Sequence, residues 1–199
     1  VDINNEKYFN KLAEIHRIKN QKEEFINYLI KSLEINPEQT EIYYLIATEY
    51  FSRKEYKLAI KYYHKLIIFS PDCFNANYNL GLAYNLTNEI HLSIKYFTKS
   101  SLIEPRNANP YFLLGNCYQE LGLDSKSISY YKKGLELNKN IPQVWSNLGS
   151  LYSSNNDINK AINCLNKAIE IDPHDTDILI NLAGILYKSG KITEAFKVI

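Results

Sequence analysis

Four prolines divide this chain at a fixed interval. Pro37, Pro71 and Pro105 follow one another at 34 residues, and Pro173 lies two such intervals after Pro105. Each follows a partly apolar segment, as in S-L-E-I-N-P and A-I-E-I-D-P. Proline lacks an amide hydrogen and disfavours helix in the residue before it, so a helix should end shortly before each one. A period of this length indicates a repeat protein.

Placing each of these prolines at the thirty-second place of a repeat defines the copies. They are 6–39, 40–73, 74–107, 108–141 and 142–175, followed by a partial copy at 176–199. Early in the fifth copy the sequence reads W-S-N-L-G-S-L-Y, and in the third N-Y-N-L-G-L-A-Y. Large residues three, four and seven apart form a helical stripe. A second amphipathic helix follows in each copy, as in K-A-I-N-C-L-N-K-A-I.

Small residues recur where the two helices of a copy should meet. Gly or Ala occupies the eighth place of all six copies, and Ser or Ala the twentieth place of all but the first, which has Phe25. Small side chains let two helices approach closely. Between the helices we expect short turns carrying polar residues or glycine, at Asn88, Gly122, Asn156 and Gly190.

A helical hairpin of this period with W-x2-L-G-x2-Y, a later small residue and a closing Pro resembles the tetratricopeptide repeat. The resemblance covers residues 6–199, with departures at Lys139 for the Pro and at His16 and Leu186 for the Tyr. It implies an all-α fold, a right-handed α-solenoid of stacked antiparallel helix pairs. We expect a single array over residues 1–199, forming a tetratricopeptide superhelix.

Composition excludes several classes of partner. Lys and Arg number 23 against 22 Asp and Glu, a net charge of +1, whereas proteins that bind nucleic acid usually carry a basic excess. The apolar runs are far shorter than the ~20 residues of a membrane span, so we expect no membrane insertion. Three cysteines without a C-x-x-C pair favour reduced thiols, and we expect an intracellular, cytoplasmic location.

No arrangement of residues indicates catalysis, and we predict that the chain is not an enzyme and needs no cofactor or metal. The four histidines share no spacing, and the sequence has no phosphate-binding Gly-rich loop, no G-x-S-x-G and no H-E-x-x-H. His16, Cys117 and Cys164 fall on helix faces where packing is expected. The tyrosines at the eleventh place and the aromatic residues at the twenty-fourth are also predicted to pack between helices.

The family resemblance also implies a binding surface. In such arrays places two, five, six, nine, twelve and thirteen of the first helices line a concave groove, and we call these places the groove face. Places two and six of the second and third copies include Glu41, Leu45 and Asn75. The predicted binding residues are Tyr44, Tyr78, Asn79, Phe112, Asn116, Ser146, Asn147 and Asn181. Tyr44, Tyr78 and Phe112 share the fifth place and should form an aromatic strip, whereas several of the asparagines could equally be family consensus.

These residues favour a protein–protein interaction module that binds a peptide segment or partner subunit in the groove. One alternative is the substrate-recruiting arm of a larger enzyme, because the transferase that attaches N-acetylglucosamine to Ser and Thr has an array with an asparagine ladder. Asn79, Asn147 and Asn181 resemble that ladder, although leucines interrupt it. Another alternative is a structural subunit or scaffold of a multiprotein complex. Identifying the bound partner would distinguish among these three functions.

One kind of partner can be excluded by charge. Tetratricopeptide co-chaperones grip the acidic C-terminal tails of heat-shock chaperones through Lys, Asn and Arg at set places of three consecutive repeats. Here repeats three to five place Tyr78, Leu82, Leu113, Gln143 and Asn147 at those places. A carboxylate needs charge-assisted donors to offset its desolvation. We therefore predict that the protein is not a clamp for a chaperone carboxylate tail.

Overall fold

The computed structural model describes residues 5–198, and within them it contains twelve helices and no strand. The helices are α1 (Glu6–Ile18), α2 (Lys22–Ile35), α3 (Thr40–Ser52), α4 (Tyr56–Phe69), α5 (Phe74–Leu86), α6 (Ile90–Ile103), α7 (Asn109–Glu120), α8 (Asp124–Leu137), α9 (Pro142–Ser154), α10 (Ile158–Ile171), α11 (Thr176–Lys188) and α12 (Ile192–Val198). None of them, within the described residues, has the length and hydropathy to cross a membrane. The first four residues and the last fall outside the described part.

Consecutive helices pack in pairs, α1 on α2 through to α11 on α12. Connections of a few residues within each pair make the two helices antiparallel neighbours. The helices group into two compact units, Val1–Glu104 and Pro105–Ile199, which we call the first and second unit. In the first unit α2 packs on α3 and α4 on α5, and in the second α8 packs on α9 and α10 on α11. The predicted all-α fold of stacked antiparallel helix pairs is confirmed.

The prolines end helices as the sequence predicts. Helices α2, α4, α6 and α10 each stop two residues before a proline, at Ile35, Phe69, Ile103 and Ile171. In the fourth repeat, where the thirty-second place is not proline, α8 ends at Leu137 and Pro142 opens α9. Proline suits the first turn of a helix because its missing amide hydrogen has no partner there.

The turns within the pairs all contain one residue with a positive φ, at the fifteenth place of each repeat. These residues, with φ between 56° and 82°, are Asn20, Lys54, Asn88, Gly122, Asn156 and Gly190. Gly and Asn adopt this left-handed conformation most readily. The four predicted turns are therefore confirmed, and Lys54 is the one residue of the six that is neither Asn nor Gly.

Close contact between paired helices depends on the small residues. A Cβ atom placed on Gly81 would lie 2.5 Å from Cδ1 of Phe97 on the paired helix, which is closer than real Cβ atoms come. Ser93 at the twentieth place donates a hydrogen bond of 2.9 Å to the carbonyl of Gly81. Ser127 donates in the same way to Gly115, at 2.8 Å. The small residues thus bring the helices together, as predicted, and the serines also join them.

Rings at the eleventh and twenty-third places of one repeat stack on each other. The stacked pairs and the distances between ring centroids are His16–Tyr28 at 5.0 Å, Tyr50–Tyr62 at 5.7 Å, Tyr84–Tyr96 at 5.5 Å and Tyr118–Tyr130 at 5.2 Å. We call this arrangement the ring stack. It confirms the packing role predicted for His16 and for the tyrosines at the eleventh place. The fifth repeat differs, because Cys164 takes the twenty-third place beside Tyr152.

The cysteines also pack as predicted. Cys117 and Cys164 are buried and Cys73 is half-buried, and all three are free thiols. Burial raises the pKa of the Cys164 thiol, which keeps the sulfur protonated and weakly nucleophilic at neutral pH. Two of the three thiols are therefore ordinary core side chains.

Candidate peptide-binding site

The groove face of the first unit contains a cavity of about 370 Å³. Its walls come from α3, from the end of α4 and from the start of α5, and we call it the α3–α5 pocket. The lining residues are Thr40, Glu41, Tyr44, Leu45, Leu66, Ser70, Cys73 and Asn75. Four of them, Glu41, Tyr44, Leu45 and Asn75, stand at places that the family resemblance assigns to the groove face. The structure thus brings these four residues together around one opening.

Tyr44 and Tyr78 are half-buried, and each ring packs against the aromatic residue at the twenty-fourth place of its own repeat. The Tyr44 ring meets Tyr63 edge-on with centroids 6.0 Å apart, and Tyr78 lies 5.8 Å from Phe97. Tyr78 also stacks on Phe74 at 5.5 Å. Burial raises the pKa of the Tyr78 hydroxyl, which therefore stays neutral at physiological pH. Rings supported in this way offer a partner rigid apolar surface.

Asn79 is tied to the preceding repeat. Its Nδ2 donates a hydrogen bond of 3.0 Å to the hydroxyl of Tyr63. The Tyr63 side chain is fully buried, and this burial raises the pKa of its hydroxyl. Asn147 makes the same contact with Tyr131 in the second unit, at 3.4 Å. These bonds fix the amides in place and use one of the two N–H donors of each. The sequence alone could not show this, because the pairing joins residues of different repeats.

Of the five predicted residues of the second unit, two are buried, two are half-buried and Asn181 is exposed. Phe112 is 7% exposed, and its ring lies against Gly134 of α8 so closely that a Cβ there would overlap it. Ser146 is also 7% exposed, and its hydroxyl accepts a hydrogen bond of 3.3 Å from Nδ2 of Asn181. The ring of Phe112 is therefore a packing contact between α7 and α8, and it leaves little area for a partner.

A tyrosine hydroxyl connects the polar residues of the second unit. Tyr131 donates a hydrogen bond of 2.5 Å to Oδ1 of Asn116 and accepts the bond from Asn147. Burial, the largest effect on this group, raises the pKa of Tyr131 to about 12. Asn116 and Asn147 thus face one neutral hydroxyl, while Ser146 and Asn181 form a separate pair. We call these four residues the polar row.

Four lining residues of the α3–α5 pocket were not singled out by the sequence: Thr40, Leu66, Ser70 and Cys73. Thr40 stands at the first place of the second repeat and the other three near the end of that repeat, all outside the family's groove places. The packing of α3 on α4 and of α4 on α5 brings them to the opening. Across residues 5–198, no three His, Cys, Asp or Glu side chains converge as a metal site would require.

Comparison with known sequences decides the family. One sequence profile described as the tetratricopeptide repeat matches residues 6–39, 40–73, 74–107 and 108–141, and a second profile with the same description matches 142–175. The chain belongs to the tetratricopeptide repeat family. No curated protein matches the sequence.

Solved tetratricopeptide proteins share the fold. The crystal structure of MamA protein is 23% identical over 81% of this chain and 88% of that one, with a TM-score of 0.76. YrrB, described as a TPR protein with an unusual peptide-binding site, is 20% identical to this chain. The match covers 89% of this chain and 92% of YrrB, with a TM-score of 0.78. PilF of Pseudomonas aeruginosa is 17% identical over 96% and 86%, with a TM-score of 0.74. At these identities the likeness shows a tetratricopeptide solenoid fold.

Proposed function

We propose that this tetratricopeptide protein is a non-catalytic interaction module, and that it binds a peptide segment of a partner protein at the groove face of α3 and α5. The observation that carries the proposal is the α3–α5 pocket, which opens beside the half-buried side chains of Tyr44 and Leu45. Stacked helix pairs characteristically bind through such extended surfaces. The fold likeness to YrrB, a protein described as having a peptide-binding site, adds support.

The pocket selects for an apolar side chain. Tyr44, Leu45 and Leu66 supply aromatic and aliphatic surface, and Glu41 is the one charged residue among the lining residues. An uncharged partner segment, extended or in a short helix, therefore inserts an apolar side chain here and continues past Tyr78. The supported rings lose little conformational entropy on binding, so Tyr44 and Tyr78 serve as anchors.

Polar contacts fix the backbone of the bound segment. Asn79 uses one N–H on Tyr63, and its second N–H and its carbonyl oxygen can pair with a peptide group. The polar row of the second unit, Asn116, Ser146, Asn147 and Asn181, carries groups of the same chemistry and is not part of the site proposed on α3 and α5. Amide contacts of this kind recognise main chain whatever the side chains are. They explain how groove asparagines contribute affinity without dictating sequence.

The same surface argues against other partners. Its groove residues hold few charges, so neither nucleic acid nor the acidic tail of a heat-shock chaperone finds the cationic donors that it needs. We also propose an intracellular, cytoplasmic location. It rests on the free thiols of Cys73, Cys117 and Cys164, since secreted chains of this size tend to pair their cysteines.

Selection from a library of random peptides of about twelve residues tests the proposed function. Selected peptides are titrated by calorimetry into the wild type and into Tyr44→Ala, which should weaken binding by about 2 kcal/mol, roughly thirtyfold. Leu45→Asn is the second variant, because the third, fifth and sixth repeats carry Asn at this place and tolerate it. It should weaken binding, and because Leu45 also packs on the adjacent core, its unfolding midpoint is measured to show that the variant folds.

A matched control comes from the sixth repeat, where Ile180→Ala truncates an exposed residue at the same place as Tyr44. This variant should bind the selected peptides like the wild type. Failure to select any peptide, or equal binding by folded Tyr44→Ala and Leu45→Asn, would contradict the proposed function.

A further inference from the structure

A second cavity, of about 510 Å³, opens between α8, α9 and α10 in the second unit. We call it the α8–α10 pocket. Its lining residues are Lys132, Leu135, Glu136, Lys139, Trp145, Leu148, Tyr152, Asn159, Lys160, Asn163, Cys164 and Lys167. At 100° per residue, Trp145, Leu148 and Tyr152 lie on the side of α9 opposite Gln143, Ser146 and Asn147. The pocket is therefore separate from the groove face.

The pocket lies where the ring stack is interrupted. In the first four repeats a Tyr at the twenty-third place stacks on the ring at the eleventh, as Tyr130 stacks on Tyr118 at 5.2 Å. In the fifth repeat Tyr152 keeps the eleventh place, but Cys164 stands at the twenty-third and is only 5% exposed. A thiol fills far less space than a phenol ring. The cavity beside Tyr152 thus has the position of a ring that this repeat lacks.

Lysine side chains surround this opening. The ammonium groups of Lys132 and Lys160 lie 5.7 and 5.4 Å from the centroid of the Tyr152 ring, and that of Lys167 lies 4.5 Å from the Trp145 ring. Lys139 is the fourth, and Glu136 is the one carboxylate among the lining residues. Of the four lysines only Lys160 takes part in an ion pair within residues 5–198, with Asp157 at 2.8 Å. The rim is positively charged in a chain whose net charge is only +1.

We propose that the α8–α10 pocket is a second binding site, specific for a protein segment that presents an aromatic side chain flanked by acidic residues. The aromatic ring stacks on Tyr152 in the place of the missing ring, above the floor of Leu135, Leu148 and Cys164. The flanking carboxylates pair with the lysines, whose flexible stems swing away from the Tyr152 face to meet them. This goes beyond the uncharged segment proposed for the groove face.

The chain carries its own reporter for this site, because Trp145 is its only tryptophan and lines the pocket. The probe is a blocked peptide, Asp-Glu-Phe-Glu-Asp, titrated while Trp145 fluorescence is recorded. We expect a saturable change with a Kd below about 1 mM. Replacing Phe by Ala in the probe should weaken binding about tenfold, the ring contributing area and stacking. Raising salt to about 0.5 M should also weaken binding, because screening reduces the lysine–carboxylate attraction.

The most discriminating variant restores the missing ring. Cys164→Tyr gives the fifth repeat the residue that four other repeats carry at this place, fills the pocket and should abolish the fluorescence response to the probe. The double variant Lys132→Glu with Lys167→Glu leaves the pocket open and should lose binding at least about tenfold. Lys65→Glu, at the place in the second repeat that corresponds to Lys167, is the matched control and should bind normally.

Three results would overturn this proposal. The first is the absence of a saturable response to the Phe peptide in the wild type. The second is equal binding by Cys164→Tyr, or by the double lysine variant where Cys164→Tyr does not fold. The third is sedimentation showing that wild-type chains self-associate and that Cys164→Tyr abolishes this, because a second copy would then occupy the pocket. All three readouts are independent of peptides selected for the groove face.

Discussion

The two units are built from the same kind of helix pair, but the pocket described in each unit lies on a different face of its helices. In Val1–Glu104 the groove face carries Tyr44, Leu45 and Tyr78, and the α3–α5 pocket opens there. In Pro105–Ile199 two of the predicted groove residues, Phe112 and Ser146, are buried, and a pocket opens on the other face of α9, beside Trp145. The repeat geometry fixes where each side chain stands. The residue types at those places differ between the units, and so does the face on which a pocket opens.

Some contacts between repeats are common to both units. Tyr63 and Tyr131, at the twenty-fourth place, each accept a hydrogen bond from the Asn at the sixth place of the next repeat. The ring stack differs, since it is present in every repeat of the first unit and in the fourth repeat, but gives way to Cys164 in the fifth. Shared contacts hold successive pairs together, whereas the interrupted contact creates space. Variants at equivalent places therefore test the comparison directly.

The largest expected effect comes from truncating the core leucine at the seventh place in each unit. Leu80 is 0% and Leu148 2% exposed, so Leu80→Ala and Leu148→Ala should each lower the free energy of unfolding by about 2–5 kcal/mol. Leu148 borders an open cavity that water can enter, so its loss should fall nearer the lower figure. Urea unfolding followed by circular dichroism measures both. A loss below about 1 kcal/mol at either place would contradict the shared packing.

A smaller effect is expected at the fifteenth place, where the units differ in the residue with positive φ. Lys54 has φ 63° in the first unit and Gly122 has φ 67° in the second. Left-handed conformation costs a side chain about 1–2 kcal/mol, and Gly loses roughly half of that gain through its greater flexibility when unfolded. Lys54→Gly should therefore stabilise the protein, and Gly122→Lys should destabilise it. Thermal unfolding of both variants checks the opposite signs, and shifts in the same direction would show the turns to be unequal.

The sequence predicts those features of the fold that depend on the spacing of residues along the chain. The helix pairs, the turns at Asn88 and Gly122 and the packing of Tyr118 all depend on spacing along the chain, and they were predicted. The burial of Phe112 depends on Gly134, a glycine on the paired helix that leaves room for the ring. Cys164 departs visibly from the tyrosines at the twenty-third place, but the stacking of those rings and the α8–α10 pocket beside Cys164 are seen only in the structure. Contacts between helices decide these features, and spacing alone does not report them.

The smallest expected effect concerns pH and the twenty-fifth place, which is His64 in the second repeat and Lys132 in the fourth. The His64 ring nitrogen Nε2 lies 2.7 Å from the hydroxyl of Tyr84, and burial, with Lys95 nearby, lowers the pKa of His64 below its ordinary 6.5. The unfolded chain then binds the proton more readily than the folded one. Stability should fall as the pH drops through about 6.5 towards the lower folded-state pKa.

Urea midpoints at pH 7.5 and 5.5 measure this contribution in the wild type and in His64→Gln. The variant cannot titrate at this place, so its midpoint should fall less over the same interval. An identical fall in both proteins would show that His64 does not couple protonation to folding.

The central claim is that partners bind the first unit through its groove face, and hydrogen exchange with a selected peptide bound tests it most directly. Amides near the bound segment exchange more slowly, because the peptide restricts the local opening that exchange requires. We predict increased protection in α3 and α5, the helices that carry Tyr44 and Tyr78, and unchanged exchange in α9 and α11. Protection confined to α9 and α11, with α3 and α5 unchanged, would contradict the account.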